Sequence, residues 1–231
     1  MNRFQSLLRM QLVDWPVALA WYLGILGAAL SINVLIWAVM SPADRANAQT
    51  FGLVAIYIVS LIAFQQSMTQ LFPFAMGLSA TRRTFYAALA TFAVAQSLVF
   101  GLMLYLLLLA ERATSGWYVD VEFFDLAFLR AGNPVAQVLV FAVPLLLFGA
   151  VGAFSGSVTK RWGPNGVFGM LLGSLLVTGL LVALATWLDG WAAIWQWLTS
   201  QSAGAFFAGW ALLPAAVLLA AGFTVIRRAV P

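Results

Sequence analysis

Charged residues in this chain come in bunches, and the stretches between the bunches are apolar. From Val17 to Ile226 six long runs contain no Asp, Glu, Lys or Arg, and almost every charge sits in the gaps. A helix needs about 20 apolar residues to cross about 30 Å of hydrocarbon. The pattern predicts transmembrane helices at roughly 17–40, 51–71, 84–110, 135–158, 166–188 and 204–226. A transmembrane barrel would instead show alternating strands of about ten residues. Lipid admits helices because they satisfy their own backbone hydrogen bonds. The expected fold class is an all-α polytopic membrane protein with six transmembrane helices, forming a single transmembrane domain over residues 1–231.

The gaps set the expected orientation, since cytoplasmic segments carry an excess of Lys and Arg. With the N-terminus in the cytosol, the inner segments hold Arg3, Arg9, Arg82, Arg83, Lys160, Arg161, Arg227 and Arg228, eight of the eleven basic residues. The outer segments keep Arg45, Arg112 and Arg130, and the segment 111–134 adds Glu111, Asp120, Glu122 and Asp125. Six spans then leave both termini inside. The first run is not expected to be a signal peptide. It is longer than the 7–15 residues of a signal h-region, and the cleavage-like Ala46-Asn47-Ala48 lies well beyond its end.

Composition narrows the chemistry. Hydrophobic residues make up 64% of the chain and charged ones 8%, against roughly 25% charged in a soluble domain. Mean hydropathy is +0.99 and the pI is near 10.0. Cys and His are both absent, which removes thiolate chemistry and the commonest general base and metal ligand. Ten of the eleven basic residues are Arg, a bias that points to a GC-rich bacterial genome and so to a bacterial inner membrane.

The spans hold only mild polar groups: Asn33, Gln65, Gln66, Gln96, Ser97, Ser155, Ser157 and Thr178. These are expected to bond between helices. Proton-coupled transport usually needs ionisable groups within the membrane, so it is disfavoured here. No catalytic or metal-binding residue is assigned. The acidic residues around 120–125 read instead as the wet side of an interfacial helix, with Trp117, Tyr118, Phe123, Phe124 and Leu129 against headgroups. The Gly-rich stretch Gly149–Lys160 lacks the Gly-Lys-Ser/Thr ending of a phosphate loop. Gly152 with Gly156, and Gly169 with Gly173, are small-xxx-small pairs suited to close helix contact. The chain is therefore not expected to be an enzyme or to bind a cofactor.

Three cytosolic elements could receive a partner. Residues 2–14 suggest an interfacial helix with Phe4, Leu7, Leu8 and Leu12 on one side, although Gln11 falls where an apolar residue is expected; an ordinary juxtamembrane tail is the other reading. Trp15-Pro16, following Asp14, ends it. Between spans two and three, Pro73 fits a first helical turn, Gly77 its stop, and Ser79 or Thr81 the cap of the next helix. This predicts a short helix at about 73–78. It is apolar for a cytosolic piece, and an exposed apolar patch marks a contact site. Arg82 and Arg83 follow, suited to phosphates or to acidic groups of a partner. The plainer reading is a lipid-facing turn with topogenic arginines. The third element, 159–165, is a short basic loop.

Taken together, these features resemble the membrane (permease) subunits of the ABC-2 family of ABC transporters, exporter type. The match is one of topology over the whole chain and of a local stretch, FPFAMGLSATRRTFYAALA, residues 72–90. The outer connection LDGWAAIWQWLTSQSAGAFFAG is similar to the re-entrant or interfacial helices between the last two spans of such permeases, with Trp187, Trp191, Trp195 and Trp197 suited to an interface layer. The segment 111–134 is shorter than in some members. The resemblance implies a half-transporter in which two copies or paralogues pair as a dimer. Each would dock a cytosolic ABC ATPase, which carries ATP and Mg, through Phe72, Pro73, Phe74, Ala75, Met76, Gly77, Leu78, Arg82 and Arg83. The uncharged spans suit a hydrophobic or amphipathic cargo such as a lipid, drug or peptide; no nucleic acid is expected. A non-transporting sensor, assembly or immunity protein that binds a cytosolic partner is the alternative.

Overall fold

The computed structural model describes residues 3–13, 15–41, 45 and 49–227; Asp14, Ala46-Asn47-Ala48 and Arg228 lie outside them. Most of the described residues are helical, and none of them is in a strand. In chain order they form α1 (Arg3–Val13), α2 (Trp15–Val39), α3 (Val54–Gln66), a π-helical turn (Ser67–Leu71), α4 (Phe72–Gly77), α5 (Arg82–Ala113), α6 (Pro134–Trp187), α7 (Trp191–Ser200), a second π-helical segment (Gly204–Trp210) and α8 (Leu212–Ile226). Five of the runs are long and apolar enough to cross a membrane: Trp15–Val39, Val54–Gly77, Arg82–Ala113, Pro134–Trp187 and Gly204–Ile226.

The expected short helix at 73–78 is present as α4 (Phe72–Gly77), but it follows the π turn without a break, so helical backbone runs on from Val54 to Gly77. Pro73 would start a new helix only if its ring broke the old one. A proline inside a helix lacks an N–H and crowds the carbonyl four residues back. Here the π turn precedes it, and the Phe72 N–H reaches back five residues to the Ser67 carbonyl. This wider turn relieves the crowding. Nor does Gly77 supply the stop. The left-handed residue is Ser79 (φ 60°), with the Ala80 N–H bonded to the Ala75 carbonyl at 3.1 Å. Thr81 then caps α5 by accepting from the Thr84 N–H at 3.1 Å.

The two runs expected at 135–158 and 166–188 are both helical and are labelled together as α6 (Pro134–Trp187), which is broken into two helical segments. Its two segments meet at Gly163, whose φ of 67° and ψ of −161° lie outside the helical region and fit glycine alone. Pro164 follows and suits a helix start. The expected short loop at 159–165 is reduced to this break at Gly163; Arg161 lies over the Trp162 ring at 4.3 Å.

The segment before Gly163 is the axis of the bundle. α3, α5 and α8 all pack on α6, whose buried residues run from Gln137 to Val158. Lipid tails are as apolar as leucine, so contact and close backbone approach hold such helices together. A Cβ added at Gly152 would run into the Leu61 carbonyl, and one at Gly156 would sit 2.6 Å from the Met68 Cβ. This pair does what its spacing predicts. The pair Gly169 and Gly173 does not: both face open space, with nothing within 4 Å. Every residue from 171 to 184 is exposed, so no described helix comes near enough to use the second pair.

Candidate functional site

The end of the bundle that holds α1 collects the residues expected to receive a partner. α1 lies against α5 and buries Leu7 beside Phe72, Phe85 and Ile226. The inner face of α1 differs from the expected one: Leu12 is exposed, and Gln11, four residues after Leu7, is buried.

The nine expected docking residues divide by direction. Phe72 and Ala75 are fully buried, with the Phe72 ring edge-on to Phe85 at 5.5 Å. Met76 packs against the same cluster, and Pro73 is half-buried. These four support the turn and do not face a partner. Phe74 and Leu78 are 59% and 65% exposed. They are four residues apart and so share a face, flanked by exposed Gly77. Arg82 is occupied within the chain, donating from Nη1 to the Arg227 carbonyl at 2.8 Å and so closing the C-terminal end of α8. Arg83 is exposed. What remains exposed is this apolar pair and, five residues further along the chain, Arg83.

The opposite end is built differently. An interfacial helix over 117–129 does not form. Trp117 and Tyr118 have positive φ, and Val121, Phe123, Phe124 and Leu129 are buried in the core. Glu111 holds this loop in place. It is 2% exposed. Its carboxylate accepts from the backbone N–H groups of Phe123 at 3.1 Å, Phe124 at 3.0 Å and Asp125 at 2.9 Å, and from the Trp117 indole at 2.8 Å. Four donors replace the water that a buried carboxylate loses. Arg112 pairs with Asp125 at 2.7 Å, and Arg130 with Asp125 at 2.9 Å and Glu122 at 3.2 Å. Burial works to raise the Asp125 carboxyl, but the two guanidinium groups outweigh it and hold the group below the ordinary carboxylate value. These acids are occupied by the chain itself. No group of three or more acids among the described residues is placed to hold a metal ion.

Within the spans, one of the mild polar groups bonds between helices: the Gln96 Nε2 donates to the Tyr22 hydroxyl at 2.7 Å. The Asn33 Oδ1 accepts from the hydroxyl of Thr50, in the connection before α3, at 2.6 Å. Ser155 and Ser157 instead bond carbonyls of their own helix. The sequence reading missed Ser60, which reaches the Leu145 carbonyl at 3.1 Å, and Gln137, which bonds the Leu129 carbonyl and the Ala131 N–H.

No protein-family model, no curated protein and no solved structure matches the chain. The candidate site therefore stands on geometry alone: the face of Phe74 and Leu78, exposed Arg83 after it in the chain, and the exposed second segment of α6 with its Trp-rich extension. Trp187, Trp191, Trp195 and Trp197 are all exposed there, on and beside α7, as an interface layer requires.

Proposed function

We propose that this chain is the membrane subunit of an ATP-driven ABC exporter that moves a hydrophobic or amphipathic cargo, with the energy supplied by a separate cytosolic ATPase. In this reading the break at Gly163 divides α6 into two spans. That gives six in all, with both termini in the cytosol of a bacterial inner membrane and the α1 end facing inward. The observation that carries it is the exposed apolar pair Phe74 and Leu78, on and just after a short helix anchored into the core by Phe72 and Ala75, with exposed Arg83 following in the chain. An apolar knob on a rigid base suits docking into a groove of a soluble partner.

A second copy of the chain completes the reading. The second segment of α6 exposes Leu171, Leu175, Leu176 and Leu180, and a span with no protein neighbour on any side is available for a dimer contact. The chain has no cysteine, so single-cysteine cross-linking is clean. Leu176→Cys is expected to give a cross-linked dimer in membranes, and Ala150→Cys, in the buried axis, none.

The test of the exporter reading is gentle extraction of the tagged chain from its native membrane, with mass spectrometry of what accompanies it. A stoichiometric P-loop ATPase that is lost in Phe74→Asp/Leu78→Asp supports docking at this face. A preparation without an ATPase overturns the reading in favour of a non-transporting sensor, assembly or immunity protein.

A further inference from the structure

Gln11 stands apart from the other buried polar side chains. It is 7% exposed, and neither its Nε2 nor its Oε1 has a hydrogen-bond partner among the described residues. Leaving a buried amide unpaired opposes folding, and such groups in proteins call for an explanation.

Gln11 lines a cavity of about 180 Å³ between α1, α2, α5 and the junction of α3 with its π turn. That is many times the room one water needs. Gln66, Ser67 and Gln70 bring further polar groups to the wall. Gln66 and Gln70 are exposed, so the cavity is open on their side. Tyr22 and Gln96 form another part of the wall, and Met10, Phe64 and Phe92 make it apolar elsewhere. Among the described residues, no lining side chain carries a charge. A charged ligand group would lose hydration here without meeting a counter-ion. Side-chain amides both donate and accept, which matches a hydroxyl or another amide.

Both amide atoms of Gln11 are closed off from water-sized atoms as the side chain stands, at the wall of the cavity. We propose that this cavity binds an uncharged, hydroxyl- or amide-bearing headgroup, which the Gln11 side chain turns to meet as its buried anchor. The mixed wall favours a headgroup carried on a lipid chain over a free solute: the polar part meets the glutamines, and the first methylenes meet Phe64 and Phe92. The π turn suits this use, since such turns recur at functional positions in helices. The assignment does not rest on the exporter reading, and its test uses this chain alone.

The full chain is placed in phosphatidylcholine nanodiscs with or without monoglucosyl diacylglycerol, or with free methyl glucoside in the buffer, and thermal unfolding is followed. The glycolipid is expected to raise the midpoint of the natural chain by about 3 °C or more. A rise with free methyl glucoside as well supports the site and shows that the chain is dispensable for binding. In Gln11→Leu the rise is expected to vanish, while the midpoint without added ligand is no lower than that of the natural chain. The rim variant Gln66→Leu/Gln70→Leu, which leaves α1 untouched, is expected to reduce the rise. The proposal is overturned if neither probe shifts the natural chain, if Gln11→Leu responds equally, or if Gln11→Leu alone lowers the midpoint. The last result would mean that Gln11 is held by structural water.

Discussion

Glu111 and Gln11 are both buried polar side chains near opposite ends of the bundle, and they are treated in opposite ways. Glu111 has four donors around its carboxylate and holds a loop of the chain against the core. Gln11 is almost as buried and has no partner among the described residues. A fully satisfied polar group in an apolar setting rigidifies what surrounds it; an unsatisfied one opposes folding until something else supplies the bonds. The pair separates a polar residue that serves the fold from one that is available to a ligand.

Substitutions can break or sharpen this contrast. The largest effect is expected from Glu111→Ala, which strips partners from the buried N–H groups of Phe123 and Phe124 and from the Trp117 indole. At about 1–3 kcal/mol for each orphaned group, the loss should exceed roughly 3 kcal/mol, seen as a fall in the thermal midpoint in detergent. A loss under about 1 kcal/mol would deny Glu111 its anchoring role. Next comes Gln137→Leu, which leaves the Leu129 carbonyl and the Ala131 N–H unpaired and should cost about 2 kcal/mol. The same exchange at the other end, Gln11→Leu, should raise stability by about 1 kcal/mol without added ligand, because it removes an unpaired amide. Opposite signs for one substitution are the sharpest form of the comparison, and equal signs would end it.

The smallest effect concerns pH. The Asp125 carboxyl is held below its ordinary value of about 3.9, so its pairing with Arg112 and Arg130 stabilises the loop fully above that value. The contribution is lost as the pH falls through the lower folded value. The gap in thermal midpoint between the natural chain and Asp125→Asn should be constant from about pH 5 to pH 7 and close below about pH 4. An exposed arginine network of this kind is worth under about 1 kcal/mol per pair.

Much of the fold was legible in the charge rhythm. All six apolar runs are helical, because lipid or core offers the backbone no other partner, and Thr81 caps α5 as its residue type suggests. The misreadings share one cause. Gly152 with Gly156 and Gly169 with Gly173 have identical spacing, yet one pair meets α3 and its π turn and the other meets nothing. Residues 117–129 look amphipathic, but Glu111 supplies hydrogen bonds that fold them as a loop. Pro73 looks like a helix start, but a π turn lets the helix run on. In each case a group distant in space, or a backbone adjustment with no residue signature, decided the outcome.

The anomaly at Gln11 was visible in the sequence as a break in the apolar face of α1, but its meaning was not. A one-dimensional pattern records that a polar residue occupies an apolar position; it cannot show whether a partner waits there.

By itself, then, the sequence determined that this chain is helical, apolar enough to cross a membrane several times, and free of cysteine and histidine. Those properties follow from residue type and run length, which are local. Only the tertiary structure decided which half of the 54-residue α6 becomes the axis of the bundle, which polar groups are satisfied, and that Phe74 and Leu78 face outward while Phe72 and Ala75 face in. Those outcomes depend on which surfaces meet across the bundle, and in a chain this uniformly apolar hydropathy does not distinguish a face that packs on protein from one that packs on lipid.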